Sequence, residues 1–143
     1  MHLLLILLLV IIADADEENV IIVMKDKMER CVERLNLNQD EMWIIWQQPT
    51  IPVDNPNFTL LVECFFKDLH VFDNNVFNKE RFQILLPFMI QHKTSATLDK
   101  SKQAAKEIPD SCYELPIKES LVIHVIQIRN CIYKSVIDSI SNR

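Results

Sequence analysis

The polar and apolar positions of this chain alternate at helical spacing along most of its length. Across residues 19–35, Val20, Met24, Met28, Cys31 and Leu35 recur in steps of three and four, and Asp26, Lys27, Glu29, Arg30, Glu33 and Arg34 fill the opposite side. That pattern predicts an amphipathic helix with one face buried. Asn38-Gln39-Asp40-Glu41 reads as an N-cap with an acidic residue three positions on, so a short helix carrying Met42, Trp43, Ile45 and Trp46 is expected after it. Pro49, Pro52 and Pro56 impose an irregular stretch. A third helix is expected from about Phe58 to His70, with Val62, Phe66 and Leu69 on one face.

Asp73-Asn74-Asn75 reads as a turn, because Asn and Asp tolerate the left-handed backbone region. Asn78 is the expected cap of a helix bearing Phe82, Leu85, Leu86 and Met89, which Pro87 should kink or end. Residues 94–107 suggest a polar, poorly buried helix stopped by Pro109. The last element is expected from near Pro116, a favoured first helical position, with Leu121, Val125, Ile128 and Ile132 in one stripe. Its Val and Ile content also suits a strand, but the three-four spacing favours a helix. Ser135 to Arg143 reads as a short tail.

The N-terminus departs from this pattern. Residues 3–12 are an unbroken apolar run, followed by Ala13-Asp14-Ala15 and a polar stretch. This is the layout of a secretory signal peptide cleaved after Ala15, leaving 16–143 as one domain. Ten helical residues reach about 15 Å, half of a hydrocarbon core of about 30 Å, so no membrane span is expected. The protein is therefore expected to be secreted and extracellular.

Composition narrows the chemistry. The chain of 143 residues contains no glycine, where about 7% is usual. Phosphate-binding loops, dinucleotide fingerprints and the nucleophile elbow all require glycine, so no nucleotide cofactor is expected. A fold rich in hairpins is disfavoured as well. The net charge of −5 argues against a nucleic-acid partner. His70, His92 and His124 stand far apart without metal-ligand spacing, and the carboxylates form no obvious catalytic pair. No enzyme, metal site or cofactor is expected. What remains is apolar: two Trp, seven Phe and five Met, a soft and adaptable interior.

The chain has four cysteines, Cys31, Cys64, Cys112 and Cys131, at separations of 33, 48 and 19. Zinc sites use short spacings, so disulfides are expected in a secreted domain. Four cysteines allow three pairings, and the spacing alone does not choose among them. Asn57-Phe58-Thr59 is an N-glycosylation sequon.

The cysteine spacing resembles that of the insect odorant-binding proteins, in the four-cysteine form that lacks one of the family's three bridges. Counting from Cys64 and Cys131, the two missing cysteines would stand at Leu60 and Val122. The segments Leu60 to Leu69, Val71 to Asn75 and Cys112 to Cys131 are similar to the family's third helix, the turn after it and its last cysteine segment.

The resemblance implies an all-α bundle of about six helices around an apolar cavity, with bridges Cys31–Cys64 and Cys112–Cys131. Leu60 and Val122 would pack together in place of the lost bridge. It implies a carrier of small hydrophobic ligands such as odorants or pheromones, with an olfactory receptor or a second copy as protein partner. Carried over by position, the pocket residues are Met24, Trp46, Val62, Phe66, Phe72, Leu86, Met89, Val125, Ile128 and Ile132. Tyr113 and Tyr133 are the candidate polar anchors. Two other readings are a venom, salivary or seminal protein that turns the same scaffold on a protein partner, and a helical cytokine-like ligand.

Overall fold

The computed structural model describes residues 19–117 and 119–141. The expected signal peptide and its cleavage site lie outside the described residues. Among the described residues, seven helices carry the fold. Helix α1 runs through 19–34. It is followed by α2 (Gln39–Trp46), α3 (Pro56–Asp68), α4 (Lys79–Thr94), α5 (Leu98–Lys106), α6 (Asp110–Tyr113) and α7 (Leu121–Ser141). Between α3 and α4 lies a minimal hairpin of β1 (Phe72–Asp73) and β2 (Val76–Phe77).

Local side-chain chemistry sets most helix starts. Asn38 accepts from the Glu41 N–H at 2.9 Å, Asn55 from Phe58 at 3.1 Å and Asn78 from Arg81 at 3.0 Å. Each satisfies an N–H that the first turn would leave orphaned. Pro56 then occupies the first turn of α3, where its missing N–H costs nothing.

Helix ends are made without glycine. Asn36 and His70 take positive φ after α1 and α3. In both cases paired bonds close the last turn: Asn36 N–H to Glu33 and Leu37 N–H to Val32, then His70 N–H to Lys67 and Val71 N–H to Phe66. This is the Schellman arrangement, with Asn and His in the usual glycine position. In the hairpin Asn74 and Asn75 have φ of 53° and 62°, and Phe72 pairs with Phe77, Asp73 with Val76. Positive φ at both central residues defines the type I′ turn that suits a two-residue hairpin.

Three sequence expectations are corrected. Of the two outcomes expected at Pro87, a kink or an end, the end does not occur: α4 continues to Thr94. Residues 85–90 are all buried, and packing on both sides outweighs the one backbone bond that proline removes. The last helix begins at Leu121 and not near Pro116, with Ser120 Oγ accepting from Ile123 N–H at 3.4 Å. It does not fray into a tail at Ser135: Val136 is buried, and Ile137 and Ile140 pack on the core, extending the Ile132 stripe in steps of four.

The two disulfides join Cys31 to Cys64 and Cys112 to Cys131, the pairing that the resemblance implied. The first ties α1 to α3, and the second ties α6 to α7. Leu60 and Val122 do not form the expected buried pair. Val122 is 8% exposed and in the core, whereas Leu60 is 48% exposed, off the buried stripe of Phe58, Leu61, Val62 and Phe65. No helix among the described residues is long and apolar enough to cross a membrane.

The proline-rich segment after α2 is held by adjacent residues of α7. Arg129 donates to the carbonyls of Trp46, Gln48 and Pro49 at 2.9–3.0 Å. Asn130 exchanges two bonds of 3.0 Å with the backbone of Ile51. This clamp fixes the end of α2, and with it one wall of the cleft described next.

Candidate functional site

A cleft of about 640 Å³ opens between α1, α2, α3 and α4, with Tyr133 of α7 contributing to its lining. This is within the usual range of small-molecule sites, about 300–1,000 Å³. Helix α1 presents Ile21, Met24, Met28 and Val32 to it, of which Met24 and Met28 belong to the stripe read from the sequence. Helix α2 supplies Met42, Trp43 and Trp46; α3 supplies Leu61 and Phe65; α4 supplies Phe88 and Met89.

The lining therefore gathers every methionine of the chain except Met1, and both tryptophans. Methionine is unbranched and polarizable, so a site walled by it adapts to ligands of different outline. Trp46 is braced edge-on against Phe65, with ring centroids 5.6 Å apart, and Trp43 against His92 at 5.4 Å. Trp46 and Phe65 tie two walls together. Trp43 is 41% exposed and stands at the mouth.

The polar residues of the lining differ in exposure. Lys25, Glu29, Gln39, Asp40, Gln47 and His92 are exposed at the rim. Lys93 and Tyr133 lie deeper, Lys93 half-buried and Tyr133 only 4% exposed. Beneath Tyr133 lies Arg129, 1% exposed, its guanidinium 3.8 Å from the Tyr133 ring centroid and 5.8 Å from that of Trp46. Burial pushes the Tyr133 hydroxyl pKa up, and the adjacent guanidinium offsets part of this. Burial lowers the Lys93 pKa, and repulsion from Arg129 lowers it further.

The structure separates the sequence-predicted pocket residues. Met24, Trp46 and Met89 line the cleft. Val62, Phe66, Phe72, Val125, Ile128 and Ile132 lie in the core at 6% exposure or less and outside the cleft lining. Leu86 borders a second, smaller hollow of about 320 Å³ with Pro87, Ile108 and Tyr113. Of the two candidate anchors, Tyr133 belongs to the cleft and Tyr113 to the small hollow.

The sequence reading missed Met28, Met42, Phe65 and Phe88 as lining residues, although the pattern had marked Met28 and Met42 as helix positions. The signal was composition: few residue types are concentrated here so completely as Met and Trp. Asn57 is exposed on the first turn of α3, away from the cleft lining. Cys31, Cys64 and Asp68 cluster closely, but both sulfurs belong to the disulfide, which leaves no thiolate to ligate a metal.

No family model, no curated protein and no solved structure matches this chain.

Proposed function

We propose that the protein is a secreted, non-catalytic carrier of small hydrophobic molecules, of the odorant-binding type, with its ligand in the cleft between α1, α2, α3 and α4. The observation that carries this reading is the convergence of Met24, Met28, Met42, Met89, Trp43 and Trp46 on one solvent-accessible space. Met42 and Met89 also belong to the core, whereas Met24, Met28 and Trp46 are only partly buried and Trp43 is exposed, so an apolar surface is left open there.

Binding would proceed by removal of apolar surface from water, at about 25 cal/mol per Å². A few hundred Å² then supports micromolar affinity after the costs of association. The disulfides fit the oxidising route of a secreted chain, and their pairing fits the family whose spacing the sequence resembles.

The test is titration with a neutral fluorescent apolar probe, N-phenyl-1-naphthylamine. Saturable binding, accompanied by a change in tryptophan emission and weakened about tenfold or more by Trp43→Ala, supports the carrier reading. Trp43 is the better choice than Phe66, whose side chain is 1% exposed in the core and whose replacement tests folding. Absence of saturable binding in the folded protein overturns the reading.

A further inference from the structure

The charge distribution around the cleft is uneven in depth. The carboxylates of Glu29 and Asp40 are at the exposed rim on α1 and α2, together with the exposed Lys25 and His92. The less exposed charges, Lys93 in the lining and Arg129 behind Tyr133, are both positive. Lys93 forms no ion pair among the described residues. Arg129 is 1% exposed, and each of its hydrogen bonds goes to a neutral acceptor: the carbonyls of Trp46, Gln48 and Pro49, and the side-chain amide of Asn130. Its Nε has no partner at all. Two cations thus stand at the cleft, Lys93 in its lining and Arg129 against Tyr133, and neither is ion-paired among the described residues, an arrangement that costs free energy until a counter-charge arrives.

Tyr133 shares the cleft lining with Lys93, and the Arg129 guanidinium stands 3.8 Å from its ring centroid. A ligand reaching Tyr133 meets the field of both cations, one directly and one through the ring. Apart from the exposed polar rim, the remaining lining is apolar, with Met24, Met28, Met42 and Met89 available to a tail.

We infer that the cleft selects amphiphiles with an anionic head, a carboxylate on an unbranched apolar chain, seated with the head toward Lys93 and Tyr133 and the tail among the methionines. This rests on the carrier reading and adds the ligand's chemical class to it. Lys93 supplies the direct charge-assisted hydrogen bond. Arg129 acts as a positioning residue, holding the wall of Trp46 and raising the potential at the head site. A neutral alcohol of equal length would fill the same apolar volume without relieving the unpaired charge.

The experiment displaces bound N-phenyl-1-naphthylamine with dodecanoic acid and, separately, with dodecanol at pH 7, where the acid is ionised. The expected result is displacement by the acid at a concentration lower by about tenfold, the scale of one charge-assisted bond. The acid-to-alcohol ratio should fall towards one in Lys93→Met and be retained in Lys93→Arg. Equal displacement by acid and alcohol overturns the anionic preference and leaves the carrier reading standing. A preference unchanged in Lys93→Met overturns the assignment of the head site. Failure of the probe itself to bind overturns the carrier reading, and this inference with it.

Discussion

The guanidinium of Arg129 lies 3.8 Å from the centroid of the Tyr133 ring, one turn further along α7. The same guanidinium reaches the carbonyls of Trp46, Gln48 and Pro49. A residue outside the cleft lining thereby fixes two that belong to it, Trp46 and Tyr133. A planar fork with several donors satisfies three backbone carbonyls at once, which a point charge cannot do as well. The charge stays on the side chain despite burial, because arginine does not deprotonate in proteins.

Replacing Arg129 by Met leaves those carbonyls without their donor in a partly buried setting. Each such loss costs about 1–3 kcal/mol, so Arg129→Met is expected to destabilise the fold by about 3 kcal/mol or more. Arg129→Lys should recover only part of this. Urea unfolding followed by tryptophan fluorescence measures both variants. A Met variant within about 0.5 kcal/mol of the parent would show that the clamp contributes little.

The two disulfides close loops of 33 and 19 residues in sequence separation. On the chain-entropy relation these restrict the unfolded chain by similar amounts, about 3–4 kcal/mol each, the longer loop slightly more. Paired Cys→Ser replacement at Cys31 and Cys64 is therefore expected to cost somewhat more than at Cys112 and Cys131. The ion pair of Arg34 with Asp68 at 3.2 Å also joins α1 to α3, but it is largely exposed and cannot substitute for the bridge. Denaturant midpoints of the two double variants decide this. Losses below about 1 kcal/mol would mean that the bridges do not limit the unfolded ensemble.

The positions that take positive φ without glycine give a prediction of the opposite sign. His70 and Asn75 have φ of 60° and 62°, a conformation that costs most side chains about 1–2 kcal/mol and glycine almost nothing. His70→Gly removes that strain at the end of α3, and the contact it gives up, with Asp73 at 3.6 Å, is exposed. Asn75→Gly creates the Asn-Gly pair preferred in type I′ turns. Each change should raise stability by about 0.5–1 kcal/mol, the smaller gain at Asn75 because Asn already tolerates the region. Asn75→Val should lower it. A thermal shift of the glycine variants downward would contradict the strain argument.

These residues also show which parts of the structure were legible beforehand. The caps at Asn38 and Asn78 and the turn at Asn74-Asn75 were readable, because a side chain bonding its own neighbouring backbone is a local matter. His70 was not, since nothing local marks a histidine as a helix terminator. The passage of α4 through Pro87 depends on contacts from both sides that no window of sequence contains. The cleft was legible only in part, for a similar reason. An apolar stripe announces that a face will be buried, but whether two buried faces meet or leave a space between them is decided by how the helices are tied. Ile128 and Met24 sit on equally clear stripes; one reaches the closed core and the other the open cleft. The concentration of Met and Trp was the stronger clue, being a preference for soft and flat side chains where shape must vary.

His124 provides a pH-dependent prediction. It is 6% exposed on α7, its ring edge-on to Phe77 with centroids 6.4 Å apart, and its Nδ1 has no hydrogen-bond partner. Burial lowers its pKa from the ordinary 6.5, because an imidazolium there would lose its hydration without gaining an acceptor. The unfolded chain therefore takes up this proton at higher pH than the folded one. Between the two values the unfolded state holds more protons, and stability falls as the solution is acidified. The contribution is fully present at neutral pH, begins to be lost near 6.5, and declines with a slope of at most about 1.4 kcal/mol per pH unit for one proton. His124→Leu keeps an apolar side chain at the site and removes the titration. Denaturant midpoints measured from pH 7.5 to 5 should fall more steeply for the parent than for the variant. Parallel curves would show that His124 takes its proton equally readily in both states, and that its burial does not govern the acid response of the fold.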